Sequence, residues 1–319
     1  MSKSLFLLGT GFIGGSVLTA LLEKKEYRIS ALSRDPKKSE RLEALGVRPV
    51  QGELSSDEVI SKEAAEADII MHIATADDLP SVKSILKGLR QRSADKAPAI
   101  YIHTSGTGVL TVPTHPVDVI FNDKDQAKFD RLIPDHAPHR EIDLAIKKAV
   151  ESKELNAKVS IMLPPNIYGV GTGPFNRTTI QIPLWIKEAV REGHLISHGP
   201  DRLWNNIHIA NLVTAYLTLL SHLEQTTSTP PLYVIAETGE HCWGDLAPLV
   251  EKELKQRGLI KSDAETVVDP EGSVETETGT QSRSKAEWLH DWGWQVKQLP
   301  SVAESLPTEI DEMQRTGAV

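Results

Sequence analysis

A glycine pattern near the start of the chain constrains its fold more than any other feature. Gly9-Thr10-Gly11-Phe12-Ile13-Gly14 follows a short apolar run at 5–8 and opens a helix-like stretch. In that setting the first glycine permits a tight turn and the second lets backbone approach a pyrophosphate. The third lets the helix pack on the strand. The free N–H groups and the dipole of the helix start then stabilise an anion. The motif therefore predicts a nicotinamide dinucleotide bound to an N-terminal nucleotide domain. Residues 5–22 are also almost wholly apolar or small, as a signal peptide or membrane span would be. Gly9, Gly11, Gly14 and Gly15 fall where a span needs bulk, so the stretch reads as part of a soluble domain.

The first half continues in the same rhythm. Strand-like runs at 28–33, 47–50, 69–73 and 99–104 alternate with helical segments, as in a parallel sheet covered on both faces. Right-handed crossovers then leave the doubly wound sheet as the expected topology. Residues 111–138 break the rhythm and read as a long irregular loop of the kind that lines active sites. A helix at 140–152, a strand at 159–163, helices at 184–192 and 210–223 and a strand at 233–236 follow. Residues 264–279 are acidic and rich in Gly and Thr, and read as a loop. The expected fold class is α/β, a doubly wound parallel Rossmann sheet with a smaller C-terminal substrate lobe. The nucleotide domain is placed at 1–165 plus about 205–236, and the lobe at about 166–204 plus 237–319.

Thirty-five Lys and Arg against 44 Asp and Glu give a net charge of −9, with no long basic run. Nucleic acid and anionic membrane are therefore not expected partners; a small-molecule substrate is, with oligomeric state left open. The single cysteine, Cys242, excludes an intrachain disulfide and fits a reducing compartment, so a cytoplasmic location is expected.

Cofactor choice is made at the end of the second strand. An acidic residue there binds the ribose hydroxyls of NAD. This chain instead reads Ser33-Arg34-Asp35-Pro36-Lys37-Lys38. A guanidinium at Arg34 can clamp a 2′-phosphate. Asp35 is one residue away from the NAD pattern, so NADP(H) is preferred and NAD(H) stays possible.

These residues resemble the extended short-chain dehydrogenase/reductase superfamily in its atypical, epimerase/dehydratase-like branch. The resemblance runs through nearly the whole chain. Glu53 and Leu54 in Gly52-Glu53-Leu54 match the family's adenine contact. His72-Ile73-Ala74 matches its fourth strand, and Thr104-Ser105-Gly106-Thr107 the end of its fifth. Pro165-Asn166-Ile167-Tyr168-Gly169 resembles the turn beside the nicotinamide. Ile207-His208-Ile209-Ala210-Asn211-Leu212, Ser282–Ala286 and Trp292-Gly293-Trp294 resemble C-terminal family segments. The resemblance implies cofactor contacts from the glycine motif, Ser33, Arg34, Glu53, Leu54, Ala74, Thr104, Pro165 and Asn166.

One departure bears on chemistry. The family uses a Ser or Thr with Tyr-x-x-x-Lys, and no Tyr-x-x-x-Lys occurs in this sequence. Aligning the fifth-strand loop puts Gly106 at the hydroxyl position, with Ser105 and Thr107 beside it. On the following helix two registers are open. One places His139 and Asp143 at the Tyr and Lys positions; the other places His136 and Arg140 there. An imidazole can replace a phenol as proton donor, and a neighbouring carboxylate such as Asp143 favours its charged form. The same residues can equally be read as capping and pinning the helix.

Other constellations are weaker. His103, His115, His136 and His139 lack a metal-binding spacing, so no metal is expected. Ser105 is not in a nucleophile elbow. Asn176-Arg177-Thr178 matches a glycosylation sequon but is expected to be idle. Trp204-Asn205-Asn206 can line a substrate pocket or serve the core. Three functions stay in play: an NADP(H)-dependent oxidoreductase on a small carbonyl or alcohol, a cofactor-binding regulator without catalysis, and a non-redox isomerase or lyase.

Overall fold

Seven apolar runs become a single parallel sheet. A computed structural model describes residues 2–111, 119–273 and 276–319. In chain order the first half forms β1 (Lys3–Leu8), α1 (Phe12–Lys24), β2 (Tyr27–Ser33), α2 (Pro36–Ala44), β3 (Arg48–Gln51) and α3 (Asp57–Glu66). It continues with β4 (Ile69–His72), α4 (Leu79–Gln91), β5 (Ala99–Thr104), β6 (Phe121–Asn122), α5 (Gln126–Leu132) and α6 (Arg140–Glu151). The second half forms β7 (Ala157–Leu163), β8 (Asn166–Tyr168), α7 (Gln181–Glu192), β9 (Ile196–His198), β10 (Leu203–His208) and α8 (Ile209–Gln225). It ends with β11 (Tyr233–Ile235), β12 (Gly239–Cys242), α9 (Trp243–Gln256), β13 (Val267–Asp269), β14 (Ser284–Lys285), α10 (Trp288–Asp291) and α11 (Val302–Arg315).

The main sheet runs β11-β7-β5-β4-β1-β2-β3 with every pairing parallel. Both faces are covered, which is why β4 and β5 are buried along their whole length. Side chains alternate between two cores, as the two-residue period of a strand requires. Phe6, Ile70 and Tyr101 join Val82, Ile85 and Ile146 of α4 and α6 on one face. Leu5, Leu7, Ile100 and Ile102 join Val17 of α1 and Leu212 and Tyr216 of α8 on the other. The strand order reverses between β1 and β4, so the cleft for a ligand lies beyond the carboxyl ends of those two strands.

A third core belongs to the lobe. Its small sheet has the order β12-β10-β8, and its apolar residues come from α7, α9 and α11. Trp243 meets Trp185 and Trp204 edge-to-face, each with centroids 6.0 Å apart. Such pairs add about 0.5–1.5 kcal/mol beyond the area they bury.

Two expectations are corrected. The segment 111–138 is not irregular throughout: Asp125 caps α5, accepting from Lys128 N, and Phe129 and Ile133 anchor it in the core. Residues 112–118, including His115, lie outside the described set. The acidic segment 264–279 contains β13, which pairs with β9 in parallel register; its residues 274–275 lie outside the described set. Among the described residues no helix is long and apolar enough to cross a membrane.

Candidate functional site

The β1–α1 turn explains each glycine separately. Gly9 has φ +99°, and a Cβ there would overlap the backbone of Ala74 after β4. A Cβ on Gly14 would overlap the Gly9 carbonyl oxygen and lie 3.0 Å from its carbon. Gly11 differs: a Cβ there meets nothing within 4 Å. It is the N-cap of α1 and offers no side chain to the helix N–H groups. Open space beside uncapped N–H donors is what a pyrophosphate requires, so the residues fit a dinucleotide. Thr10 and Ile13 are half-buried around this turn, and Phe12 is buried.

At the end of β2 the carboxylate of Asp35 is already engaged. It accepts from the backbone N–H groups of Lys37 and Lys38, capping α2. Ser33 is buried; its hydroxyl donates to the Asp35 carbonyl at 3.1 Å and accepts from Ser39 at 3.0 Å. Arg34 is exposed, and its side chain has no partner among the described residues. Glu53 takes part in a local turn: its N–H donates to Ser56 Oγ, and its carboxylate accepts from Ser55. Leu54 packs on the core.

Helix α6 delivers the chemistry-bearing residues to the other end of the cleft. His139 is its N-cap, with left-handed backbone at φ 64°. Asp143 lies one turn on, on the same face, as i, i+4 spacing dictates. His139 Nδ1 lies 2.7 Å from Asp77 Oδ1, in the loop after β4. An ionised carboxylate can only accept, so Nδ1 carries the proton and Nε2 faces away. Nε2 lies against the loop after β5, 3.5 Å and 3.1 Å from where Cβ atoms of Gly106 and Gly108 would stand. Glycine at both positions lets the imidazole approach.

Charge follows from these contacts. Burial disfavours the His139 imidazolium, but the hydrogen bond and charge of Asp77, then the charges of Asp143 and Glu277, outweigh it. The net direction is upward from the usual histidine value. His139 in turn holds the Asp77 carboxyl below its usual value. Asp143 is fully buried, and burial pushes its carboxyl up to about 7 against a 3.1 Å hydrogen bond from Ser105 Oγ. Asp143 Oδ1 and Thr107 Oγ1 are buried without a hydrogen-bond partner among the described residues.

The structure brings His139, Asp143 and Ser105 together, with Thr107 two residues along the loop. It places the other register elsewhere. Arg140 is buried between the Tyr233 hydroxyl at 2.8 Å and Asp130 at 2.9 Å, and His136 is exposed. The Thr104 hydroxyl is bound to that of Tyr216 on α8 at 2.6 Å. Asn166 opens β8 and donates through Nδ2 to Gln181 at 2.6 Å, while Pro164 and Pro165 are buried before it. Asn211 brackets Lys297, its Oδ1 accepting from the backbone N–H and its Nδ2 donating to the carbonyl. Ser282 Oγ donates to the Thr107 carbonyl at 2.8 Å and ties the lobe to the β5 loop.

Sequence reasoning missed Asp77. Its neighbour Asp78 is the cap of α4, accepting from Ser81 N at 2.8 Å, and nothing in an Asp-Asp pair tells which one faces a histidine 62 positions away. It also missed the buried stack of His72 on His103, whose strands hold these residues in register with centroids 5.1 Å apart. Burial holds both imidazoles neutral, His72 down to about 4. Among the described residues no group of three or more His, Cys, Asp or Glu is arranged to hold a metal.

The fold and the glycine turn together define a nicotinamide-dinucleotide-binding protein of Rossmann type. Comparison with known proteins agrees. A family described as NAD(P)H-binding matches residues 9–127. Oxidase ucsJ from Acremonium sp is 30% identical over 291 residues, which span 84% of this chain and 83% of the relative. Among solved structures, UDP-glucuronic acid 4-epimerase from Bacillus cereus superposes with a TM-score of 0.69 at 16% identity, over 98% of this chain and 99% of that one. The dTDP-glucose 4,6-dehydratase DesIV from Streptomyces venezuelae, with NAD and TYD bound, gives 0.70 at 15%, over 98% and 97%. The PbgP3 protein from Burkholderia pseudomallei gives 0.72 at 14%, over 100% and 98%. The chain belongs to the family of its relative oxidase ucsJ, carries an NAD(P)H-binding domain, and shares its fold with epimerases and dehydratases of known structure. The relatives are enzymes: an oxidase, an epimerase and a dehydratase.

Proposed function

We propose that this protein is an NADP(H)-dependent oxidoreductase that interconverts a small carbonyl and its alcohol, with His139 as proton donor and acceptor. The observation that carries the reading is the Asp77–His139 pair at 2.7 Å, which leaves Nε2 free over the Gly106–Gly108 loop. A bound nicotinamide supplies or takes the hydride at the substrate carbon. In the reducing direction the proton on Nε2 passes to the carbonyl oxygen, and Asp77 holds the imidazole in the orientation and charge state this needs. Ser105, in the loop after β5, donates its one hydroxyl proton to Asp143, so it can polarise the same oxygen only when Asp143 is protonated and donates in its turn. Gly11 leaves room for the pyrophosphate, and Arg34 is the residue for a 2′-phosphate, since Asp35 is committed to its helix.

A panel of aldehydes and ketones, with NADPH consumption followed by absorbance, tests this reading. Turnover should be lost by about 10²–10⁴-fold in His139→Gln with cofactor affinity kept, and kept in His136→Gln. The reverse pattern would transfer the role to His136. A second reading has one observation in its favour. A carboxyl, Asp143, stands at the spacing where the family carries a lysine, and a carboxylate cannot supply that positive charge. Tight cofactor binding with no turnover on any carbonyl would favour a cofactor-binding regulator, whose partner affinity should then differ between oxidised and reduced cofactor.

A further inference from the structure

Asp143 is a carboxyl sealed from water with a single hydrogen bond. It is fully buried; Oδ2 lies 3.1 Å from Ser105 Oγ, and Oδ1 has no partner among the described residues. A carboxylate in that position is costly unless several donors or a cation compensate it. The cations of α6 are turned elsewhere. Arg140 donates from Nη1 to the Tyr233 hydroxyl and from Nη2 to Asp130, and its Nε makes no hydrogen bond among the described residues. His139 gives its Nδ1 proton to Asp77. The other titratable neighbours are Asp77 after β4, Tyr101 on β5 and Tyr233 on β11, and none of them brings positive charge.

A serine hydroxyl has one proton and two lone pairs. Beside a carboxylate, Ser105 must spend its proton on Asp143. Beside a carboxylic acid the direction reverses: Oδ2–H donates, Ser105 Oγ accepts, and the serine proton is free to turn away. A 3.1 Å separation of two oxygens serves either direction. On the other side of Ser105 lies the place where that proton is of use. Gly106 follows it in the chain, and the His139 ring, with Nε2, lies against Gly106 and Gly108. Hydroxyl and imidazole therefore border the same short stretch of loop.

We infer that Asp143 is a positioning residue that works as a neutral carboxylic acid: it donates to Ser105 Oγ, and Ser105 in turn presents a hydroxyl donor to the substrate oxygen beside His139. The inference rests on the reading of this loop as the site of carbonyl reduction. Asp143 gives up no proton in the reaction. The hydrogen bond from Ser105 strengthens as negative charge grows on the substrate oxygen, and the proton that ends there comes from His139. A carboxyl kept neutral by burial can serve as such a donor. Burial lifts the Asp143 carboxyl to about 7, so the neutral form is present at and below neutrality and is lost as pH rises.

The test reads the protonation of Asp143 directly and then its effect on turnover, both in the full chain. Infrared difference spectra between pH 5 and pH 9 should show a protonated carboxyl that titrates near neutrality and disappears in Asp143→Asn. All samples carry Glu309→Gln, because Glu309 titrates in the same range. Ser105→Ala removes the hydroxyl that steadies the carboxylate, so the midpoint should rise. In carbonyl reduction with NADPH, kcat/KM at high pH should fall with the loss of two protons in the parent and of one in Asp143→Asn, whose amide donates to Ser105 at every pH. Asp143→Leu has no donor and should be about tenfold or more slower than Asp143→Asn. No carboxyl signal assignable to Asp143, an unmoved midpoint in Ser105→Ala, a two-proton decline that persists in Asp143→Asn, or equal turnover of the Asn and Leu variants overturns the inference; the oxidoreductase reading then stands as long as carbonyls are reduced. If the signal and the midpoint shift are found and no carbonyl compound is reduced, the oxidoreductase reading falls, and the neutral acid donating to Ser105 stands.

Discussion

The three motif glycines should separate cleanly when each is replaced by alanine. Gly11→Ala adds a methyl group into open space, with nothing within 4 Å, so the fold should be unaffected. The same methyl group stands where a pyrophosphate would approach the first N–H groups of α1. Losing one charge-assisted contact of about 1.5–3 kcal/mol corresponds to roughly 10–150-fold weaker cofactor binding. Gly14→Ala should do the opposite. Its methyl group would overlap the Gly9 carbonyl oxygen and press on its carbon at 3.0 Å, with Ile73 Cβ at 3.5 Å. Backbone cannot swing away as a side chain can, so α1 must lift from the sheet. Overpacking of this kind costs about 3 kcal/mol at the upper end of its usual range. At about 2–4 °C per kcal/mol, the unfolding midpoint should fall by about 6–12 °C. Gly9→Ala should lose stability too, since it adds left-handed strain at φ +99° to a clash with Ala74. The assays are thermal unfolding without cofactor and calorimetric titration with NADPH and NADH. A Gly11→Ala protein that binds cofactor like the parent would refute the argument, as would one that melts as early as Gly14→Ala.

Three further outcomes follow from other parts of the molecule. The Asp77 hydrogen bond raises the His139 pKa against burial, so carbonyl reduction should decline as pH rises through that raised value. In Asp77→Asn the decline in kcat/KM should move to lower pH, and an unmoved profile would remove Asp77 from the proton's path. Arg34→Ala should cut NADPH affinity about tenfold or more and leave NADH affinity nearly unchanged, measured by titration of both; equal losses would show that Arg34 does not meet the 2′-phosphate. Glu309 is buried, and burial lifts its carboxyl to about 7 while it accepts from Gly169 N at 2.7 Å. A raised carboxyl value stabilises the fold at low pH and loses that contribution as pH rises through about 7. Glu309→Gln keeps an acceptor without the charge, so it should be the more stable protein at pH 8, by on the order of 3 kcal/mol, and lose that advantage at pH 5. Melting curves at the two pH values check this.

The parts legible in the sequence are those governed by local rules. A strand, a glycine turn and a helix are contiguous, so Gly9, Gly11 and Gly14 announce the cradle before any contact is known, and the alternation of apolar runs announces the parallel sheet. The lobe was harder to read because its sheet joins distant segments: β8 pairs with β10, which pairs with β12, and no short-range signal marks such pairs. Helix α5 hides inside a segment with prolines on either side. Asp35 shows a subtler limit. From the sequence it competes for the ribose; in the structure its oxygen is held by two backbone N–H groups of its own helix, a role that depends on the turn geometry.

On the proposed reading, His139 and Asp143 stand where the family carries Tyr and Lys, and this changes what the rest of the site must do. A phenol needs a nearby cation to become acidic enough, and the family's lysine provides it. An imidazole already titrates near neutrality and needs an anion to stay protonated. The carboxylate that does this is Asp77, which reaches His139 from the adjacent strand end and is itself largely exposed. Asp143 is sealed beneath, where burial holds its carboxyl at about 7, so near neutrality part of the population carries a proton and no charge. Among the described residues its carboxyl has one hydrogen-bond partner, Ser105, and a hydroxyl can bond to either form. On the proposed reading the positioning that lysine gives the family through charge is therefore divided here. Asp77 sets the state of the imidazole, and the Asp143–Ser105 pair shapes the floor beside it. That division explains why a helix pattern alone could locate His139 and Asp143 yet could not supply the anion that makes the histidine an acid.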